Sequence, residues 1–316
     1  MRSYIIKRCL SILPTLLGVT LIIFIIIRMV PGDALILMME ESYNVSPEEV
    51  EILKQKLGLD KPLYMQYFLW IADLARGNFG YSIWQRSAVL PEITRRIPIT
   101  LELALMTTSI SVLIGVPIGI ISAIKHDSMI DHSVRVFSIG GLSIPNFWLG
   151  IMAIVIPSVY LAWTPPLIYI PFVSNPGAHL IQFLIPALLM GYHFSAAIMR
   201  MTRNAFMEVI RQDYIRTAHA KGLTEQVIVY KHALKNAMIP ILSVIGVQIA
   251  FMMGGSVIIE QIFCLPGIGR LVLESISQRD YPLLQGVLFI IAFSIIMVNL
   301  IVDILYSFLD PRIHYE

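Results

Sequence analysis

Residues 211–242 read RQDYIRTAHAKGLTEQVIVYKHALKNAMIPIL, a basic interval set between long apolar blocks, with Glu225 its only acid after Asp213. Val209 and Ile210, Tyr214 and Ala218 recur at helical spacing while Arg211, Arg216 and Lys221 project elsewhere, which predicts a short amphipathic helix. Gly222 follows, the residue that most readily takes the left-handed conformation that ends helices. Thr224 is placed to cap a second helix, which carries Lys231 and Lys235 toward the apolar run from Met238. The stretch is therefore helix, tight glycine break, helix, at a membrane surface. By charge alone such a loop holds orientation against anionic lipid. By shape it suits a knob that another protein grips.

The surrounding chain is built for a bilayer. Of 316 residues, 57% are hydrophobic and 14% charged, against about 25% charged in an ordinary soluble domain. Apolar runs long enough to cross roughly 30 Å of hydrocarbon recur along it. They predict an all-α polytopic membrane protein with six spans, at 9–30, 99–124, 134–161, 180–199, 238–263 and 283–308. The first follows Arg2, Lys7 and Arg8 and is too long, with no small-residue cleavage site, to be a removable signal. Arg28 near its end is read as snorkelling to the interface.

The chain divides into the first span with its leader (1–30), a polar loop (31–98), a five-helix core (99–308) containing the basic loop 200–237, and a tail (309–316). Within the polar loop, Ser46-Pro47-Glu48-Glu49 predicts a helix start, closed by Gly58. A second amphipathic stretch from Leu63 to Leu74 carries Tyr64, Tyr67, Phe68 and Trp70, which suit both an interfacial belt and a packing face. Lys and Arg concentrate in the N-terminus, the 125–135 turn and the 200–237 loop, and are sparse in 162–179 and 264–282. The positive-inside rule then puts both termini and the basic loop in the cytoplasm, and 31–98 outside as a helical extracytoplasmic loop.

Polar side chains inside spans are costly and face bundle interiors or a solute path. Asn146, Gln248 and Asn299 are the candidates, with Gln248 favoured for the path and the two asparagines equally suited to joining helices. Glu102 and Glu260 fall near outer ends and Asp303 near an inner one, so no carboxylate stands at mid-membrane to couple ions. Cys9 and Cys264 lie far apart, and His126, Asp127, Asp131 and His132 read as helix-end residues rather than a metal site. No P-loop, H-E-x-x-H, G-x-S-x-G or C-x-x-C occurs. A secondary transporter or channel would need its own coupling carboxylate or filter, and a membrane-embedded enzyme would need converging acids, histidines or a nucleophile. Uphill transport by this chain would need energy from a partner.

Five segments carry a resemblance. Ala218, Ala220-Lys221-Gly222, His232-Ala233-Leu234-Lys235-Asn236-Ala237 and Pro240 resemble the EAA loop of ABC-transporter permease subunits, in the form found in the oligopeptide, dipeptide and nickel permease family. The triplet itself is Thr217-Ala218-His219, matching only at its central Ala. The string 57–82 (LGLDKPLYMQYFLWIADLARGNFGYS) is similar to that family's periplasmic loop, and Ser143-Ile144-Pro145-Asn146-Phe147-Trp148-Leu149-Gly150 to its Ser-x-Pro-x-Phe-Trp-x-Gly segment. Glu260-Gln261-Ile262-Phe263, Leu265-Pro266-Gly267-Ile268-Gly269-Arg270 and Arg279-Asp280-Tyr281-Pro282 resemble its last outer loop, and YSFLDPR at 306–312 its tail.

The resemblance implies a type I ABC importer permease fold in a bacterial or archaeal cytoplasmic (inner) membrane. It implies a second homologous permease, two ABC ATPase subunits that bind ATP and Mg, and an extracytoplasmic solute-binding protein. No cofactor is expected in this chain, and no nucleic acid. Tyr214, Arg216, Thr217, Ala218, His219, Ala220, Lys221, Gly222 and Leu223 would form the helix that couples to an ATPase. Peptides are the implied cargo, with nickel chelates, glutathione or oligosaccharides as alternatives on the same architecture.

Overall fold

The computed structural model describes residues 2–29 and 60–309. The helix expected after Ser46 and the tail from 310 lie outside them. Among the described residues, five helices are long and apolar enough to cross a membrane, and a bent pair supplies a sixth where its two arms form one span.

Helix α1 (Arg2–Met29) is the first span. Helix α2 (Leu63–Ala75) lies against its C-terminal half, where Tyr67 and Trp70 meet Phe24 at ring-centroid distances of 5.5 and 6.2 Å. Tyr64 and Phe68 stay exposed, so the aromatic set splits between a packing face and an interfacial face. A small hairpin, β1 (Tyr81–Ser82) with β2 (Ser87–Ala88), is antiparallel with Tyr81 opposite Ala88. Buried Asp280 ties it down, accepting from Ser82 Oγ at 2.5 Å and Trp84 N at 3.3 Å.

Helix α3 (Val89–Ile124) begins well before the expected start at 99, because Val89 and Ile93 are fully buried against Leu271, Leu283 and Val287. It pairs with α6 (Pro176–Ile210), whose N-terminus is capped by the Asn175 side chain. Gly115 and Gly119 bring these two backbones together: a Cβ at 119 would stand 2.6 Å from Thr202 Cβ and 2.8 Å from the Met199 carbonyl oxygen. Such small-residue stripes give tight contact where lipid supplies no hydrophobic drive.

The expected third span is instead an elbow of α4 (Met129–Ser143) and α5 (Asn146–Leu161), bent by 91°. Pro145 has no N–H to continue the ladder, and it holds Ile144 extended at φ −84°, ψ 124°. Asn146 therefore opens the second arm of the pair. Pro98, Pro117, Pro157, Pro186 and Pro240 all sit inside helices that continue past them.

The expected fourth span does not end at 199 but runs on as α6 to Ile210, so the first part of the 200–237 loop is regular helix. After α7 (Asp213–Ala220), helix α8 (Glu225–Gly254) includes a π-helical stretch at Ile228–Ala233 before spanning. At the far end of α8, α9 (Val257–Ile262) and α10 (Ile268–Ser277) form a hairpin before the last span, α11 (Tyr281–Leu309). Its hinge is Glu260, fully buried, which accepts from Thr100 Oγ1 at 2.8 Å, Ser256 Oγ at 2.7 Å and Arg270 N at 3.0 Å. A Cβ at position 267 would stand 2.4 Å from Glu260 Cδ, so Gly267 is what allows the loop to close over the carboxylate.

Candidate functional site: helix α7 and the polar residues of the spans

Helix α7 starts after a break at Arg211–Gln212, which separates it from Val209 and Ile210. Its buried face is Ile215 and Ala218, three residues apart, rather than the expected Tyr214 and Ala218. Those two side chains pack with Ile228, Val229, Ala233 and Ala237 of α8 and Phe206 of α6. Burying Ile215 contributes about 2 kcal/mol by area. Tyr214 projects outward, yet its hydroxyl is held by Asn236 Nδ2 at 2.8 Å, which bridges α7 to α8. Arg216, Thr217, His219, Ala220, Lys221, Gly222 and Leu223 are all exposed. The apolar side of α7 is thus anchored and its polar side is offered to the surroundings.

The C-terminus is closed by two backbone bonds, Gly222 N to the His219 carbonyl at 2.9 Å and Leu223 N to the Ala218 carbonyl at 3.4 Å. With Gly222 at φ +74° this is a Schellman turn. A Cβ at 222 would meet nothing within 4 Å, so dihedral strain alone selects glycine here. Gly222→Ala is expected to cost about 1 kcal/mol, and Gly222→Asn less, since Asn tolerates this region. Thermal melting of the purified variants checks it, and an Ala variant as stable as the parent would contradict the turn. Thr224 occupies the N-cap of α8 in extended backbone, but its side chain makes no capping bond. The π-helical stretch that follows carries Lys231 and His232, and such widened turns recur at functional positions.

The three polar span residues do not converge. Gln248 lines a groove of about 450 Å³ between α6 and α8 with His193, Ser243 and Phe251, and its Nε2 donates to the Phe194 carbonyl at 3.0 Å. Asn299 lines a separate polar cavity of about 130 Å³ between α1 and α11, beside the ion pair of Arg8 with Asp303 at 2.5 Å. Asn146 sits at the elbow with its Oδ1 buried and lacking a hydrogen-bond partner among the described residues.

Sequence reasoning missed the carboxylate that fixes the basic end. Asp131 is fully buried and accepts from Arg203 Nε at 2.6 Å and Nη2 at 2.9 Å, Arg135 Nη2 at 2.6 Å and Ser122 Oγ at 2.5 Å. It joins α3, α4 and α6 at one point. Ligand atoms of His126, Asp127 and Asp131 do lie within 4.8 Å of one another. The Asp131 oxygens, however, are already filled by guanidinium and hydroxyl donors, which disfavours a cation there. At the opposite end of the bundle, His179 places Nδ1 2.6 Å from the Ile170 carbonyl and Nε2 2.8 Å from Glu102, pinning the 163–175 loop to α3. Burial, and then the nearby Glu102 charge, raise the Tyr169 phenol in that loop above its ordinary value.

Comparisons with known proteins agree with this architecture. The model of the binding-protein-dependent transport system inner membrane component matches residues 115–315, and that of the N-terminal membrane component of such systems matches residues 1–104. The chain is 41% identical over 337 residues to a di/tripeptide transport system permease of Pseudomonas aeruginosa, covering 100% of both chains. It is 39% identical over 318 residues to an oligopeptide transport system permease of Bacillus subtilis, again covering 100% of both. A solved structure of the MetNI methionine ABC transporter in inward-facing conformations superposes with a TM-score of 0.55 at 16% identity, over 69% of this chain and 96% of that one. The chain therefore belongs to the family of binding-protein-dependent transport system inner membrane components: it is a multi-pass permease subunit of an ABC importer, not itself an enzyme, and relies on partner ATPases for ATP hydrolysis.

Proposed function

We propose that this permease forms the translocation path for peptides and is driven through α7. The observation that carries the coupling role is the exposed polar face of an anchored helix that ends in a closed turn at Gly222. Its Tyr214, Arg216, Thr217, His219, Ala220, Lys221 and Leu223 would occupy a groove on an ATPase, while Ala218 keeps the helix seated on α8. When two ATPases close on ATP and Mg, a push on α7 reaches α8 and α6 through Ile215, Ala218 and Phe206, and tilts the spans between inward-open and outward-open states. The basic end then faces the cytoplasm with both termini, as the distribution of Lys and Arg supports.

Peptide cargo follows from the two permeases that match the whole chain. A second homologous permease would complete the path, with Gln248 in the α6–α8 groove the leading wall residue and Asn146 and Asn299 subordinate to it. Residues 31–98 would offer docking surface to an extracytoplasmic solute-binding protein. The test is reconstitution of the chain with its neighbouring subunits in liposomes that hold ATP inside. Uptake of a labelled di- or tripeptide should require both ATP and the binding protein. ATP hydrolysis stimulated by a loaded binding protein but without any peptide uptake would overturn the peptide assignment, and uptake indifferent to ATP would overturn the motor-driven one.

A further inference from the structure

The basic ends of α4 and α6 enclose a pocket of about 260 Å³, separate from the coupling helix. Arg135, Arg200, Arg203 and Asn204 ring one part of it, and Ile139 and Leu142 continue it as an apolar wall. The charges are unbalanced. Arg203 is committed to Asp131 through two donors, and Arg135 is shared between Asp131 and Asp127 through Nη2 alone. Arg200 is exposed and makes no ion pair or hydrogen bond among the described residues. Arg135 Nε is enclosed by protein and likewise has no hydrogen-bond partner among them. Asn204 lies one turn beyond Arg200 on the same face of α6, with its amide exposed. Three guanidinium groups thus meet two carboxylates, and the unused donors point to one further anion.

We propose that this pocket holds the headgroup phosphate of an anionic phospholipid, with an acyl chain along Ile139 and Leu142. A phosphate would accept from Arg200, from Arg135 Nη1, since that guanidinium bonds its carboxylates through Nη2 alone, and from the Asn204 amide, in the short charge-assisted bonds that guanidinium groups favour. What selects a lipid over free phosphate is the continuation of the cationic ring into exposed apolar side chains, Ile139 at 64% and Leu142 at 37% exposure. Cationic pockets between spans on the basic side of a membrane have the chemistry for such headgroups. The inference rests on the basic end of the bundle lying at a membrane surface, and is independent of cargo and of how α7 couples.

The test is native mass spectrometry of the intact transporter released from nanodiscs that contain phosphatidylglycerol and phosphatidylcholine in equal amounts. Retention of phosphatidylglycerol over phosphatidylcholine is expected, falling about tenfold in Arg200→Gln, the loss of roughly one charge-assisted contact. Ile139→Trp, at an exposed site that leaves every arginine in place, should lower retention of the same lipid without disturbing assembly. Equal retention of the two lipids, or a preference unchanged in both variants, would overturn the assignment. So would displacement of the lipid by millimolar inorganic phosphate, which identifies a simple anion site. A cross-link from a photoreactive group at position 200 to a partner subunit, in place of lipid, would show that protein fills the pocket.

Discussion

Asp131→Ala is expected to remove about 3 kcal/mol of stability and most of the folded protein recovered from membranes. The carboxylate is buried at the junction of α3, α4 and α6 and neutralises Arg203, whose side chain is only 12% exposed. Deleting one member of such a pair leaves an uncompensated buried charge, which is far more destabilising than the pair itself is stabilising. The loss should show as a lower melting temperature in detergent and as early aggregation on size exclusion. Arg203→Met in the same chain should restore part of it, because the stranded guanidinium is then gone. An Asp131→Ala protein that melts with the parent would mean that water or lipid reaches this junction and screens it.

In Ala218→Glu, ATP-driven uptake is expected to fall to background while the chain remains inserted. Ala218 is 7% exposed and packs in the apolar cluster with Ile228, Val229 and Ala233. Ionised Glu cannot remain there unpaired, so α7 must leave its seat. The exposed residues then lose their common orientation. Co-purification of the ATPase subunits should drop with uptake. Arg216→Ala provides the contrast: its side chain is 77% exposed and pairs only with the likewise exposed Asp213 among the described residues, so the helix stays seated while a partner contact is lost. Normal uptake by Ala218→Glu would separate α7 from coupling altogether.

Much of this architecture could be read before any coordinates. Long apolar runs need no tertiary information, because the bilayer itself sets their length, and the glycine break at 222 has a purely local cause in its φ of +74°. What escaped depended on contacts distant in sequence. Val89 and Ile93 join the second span because α10 and α11 cover them, and nothing in the local pattern around Pro91 and Pro98 announces that. Pro145 lies within an apolar run just as Pro117 and Pro186 do, yet the chain bends by 91° at it while the helices holding the other two continue past them. The buried side of α7 was assigned one residue out because the break at Arg211–Gln212 resets the helical phase. Glu260 and Asp131 were visible as charges, but their donors come from Thr100 and Arg203, 160 and 72 residues away.

The closed turn after α7 has a kinetic and calorimetric consequence. Gly222 N and Leu223 N are both satisfied within the chain, so the turn is already formed and need not fold on contact. Little conformational entropy remains to be lost on association, so a partner should dock rapidly and with a small heat-capacity change, unlike a disordered tail that wraps its target. The same rigidity lets a displacement imposed on α7 reach α8 instead of being absorbed by a flexing loop. In the coupling role proposed for α7, a stiff handle serves a subunit that follows each cycle of its motor better than a tightly bound one.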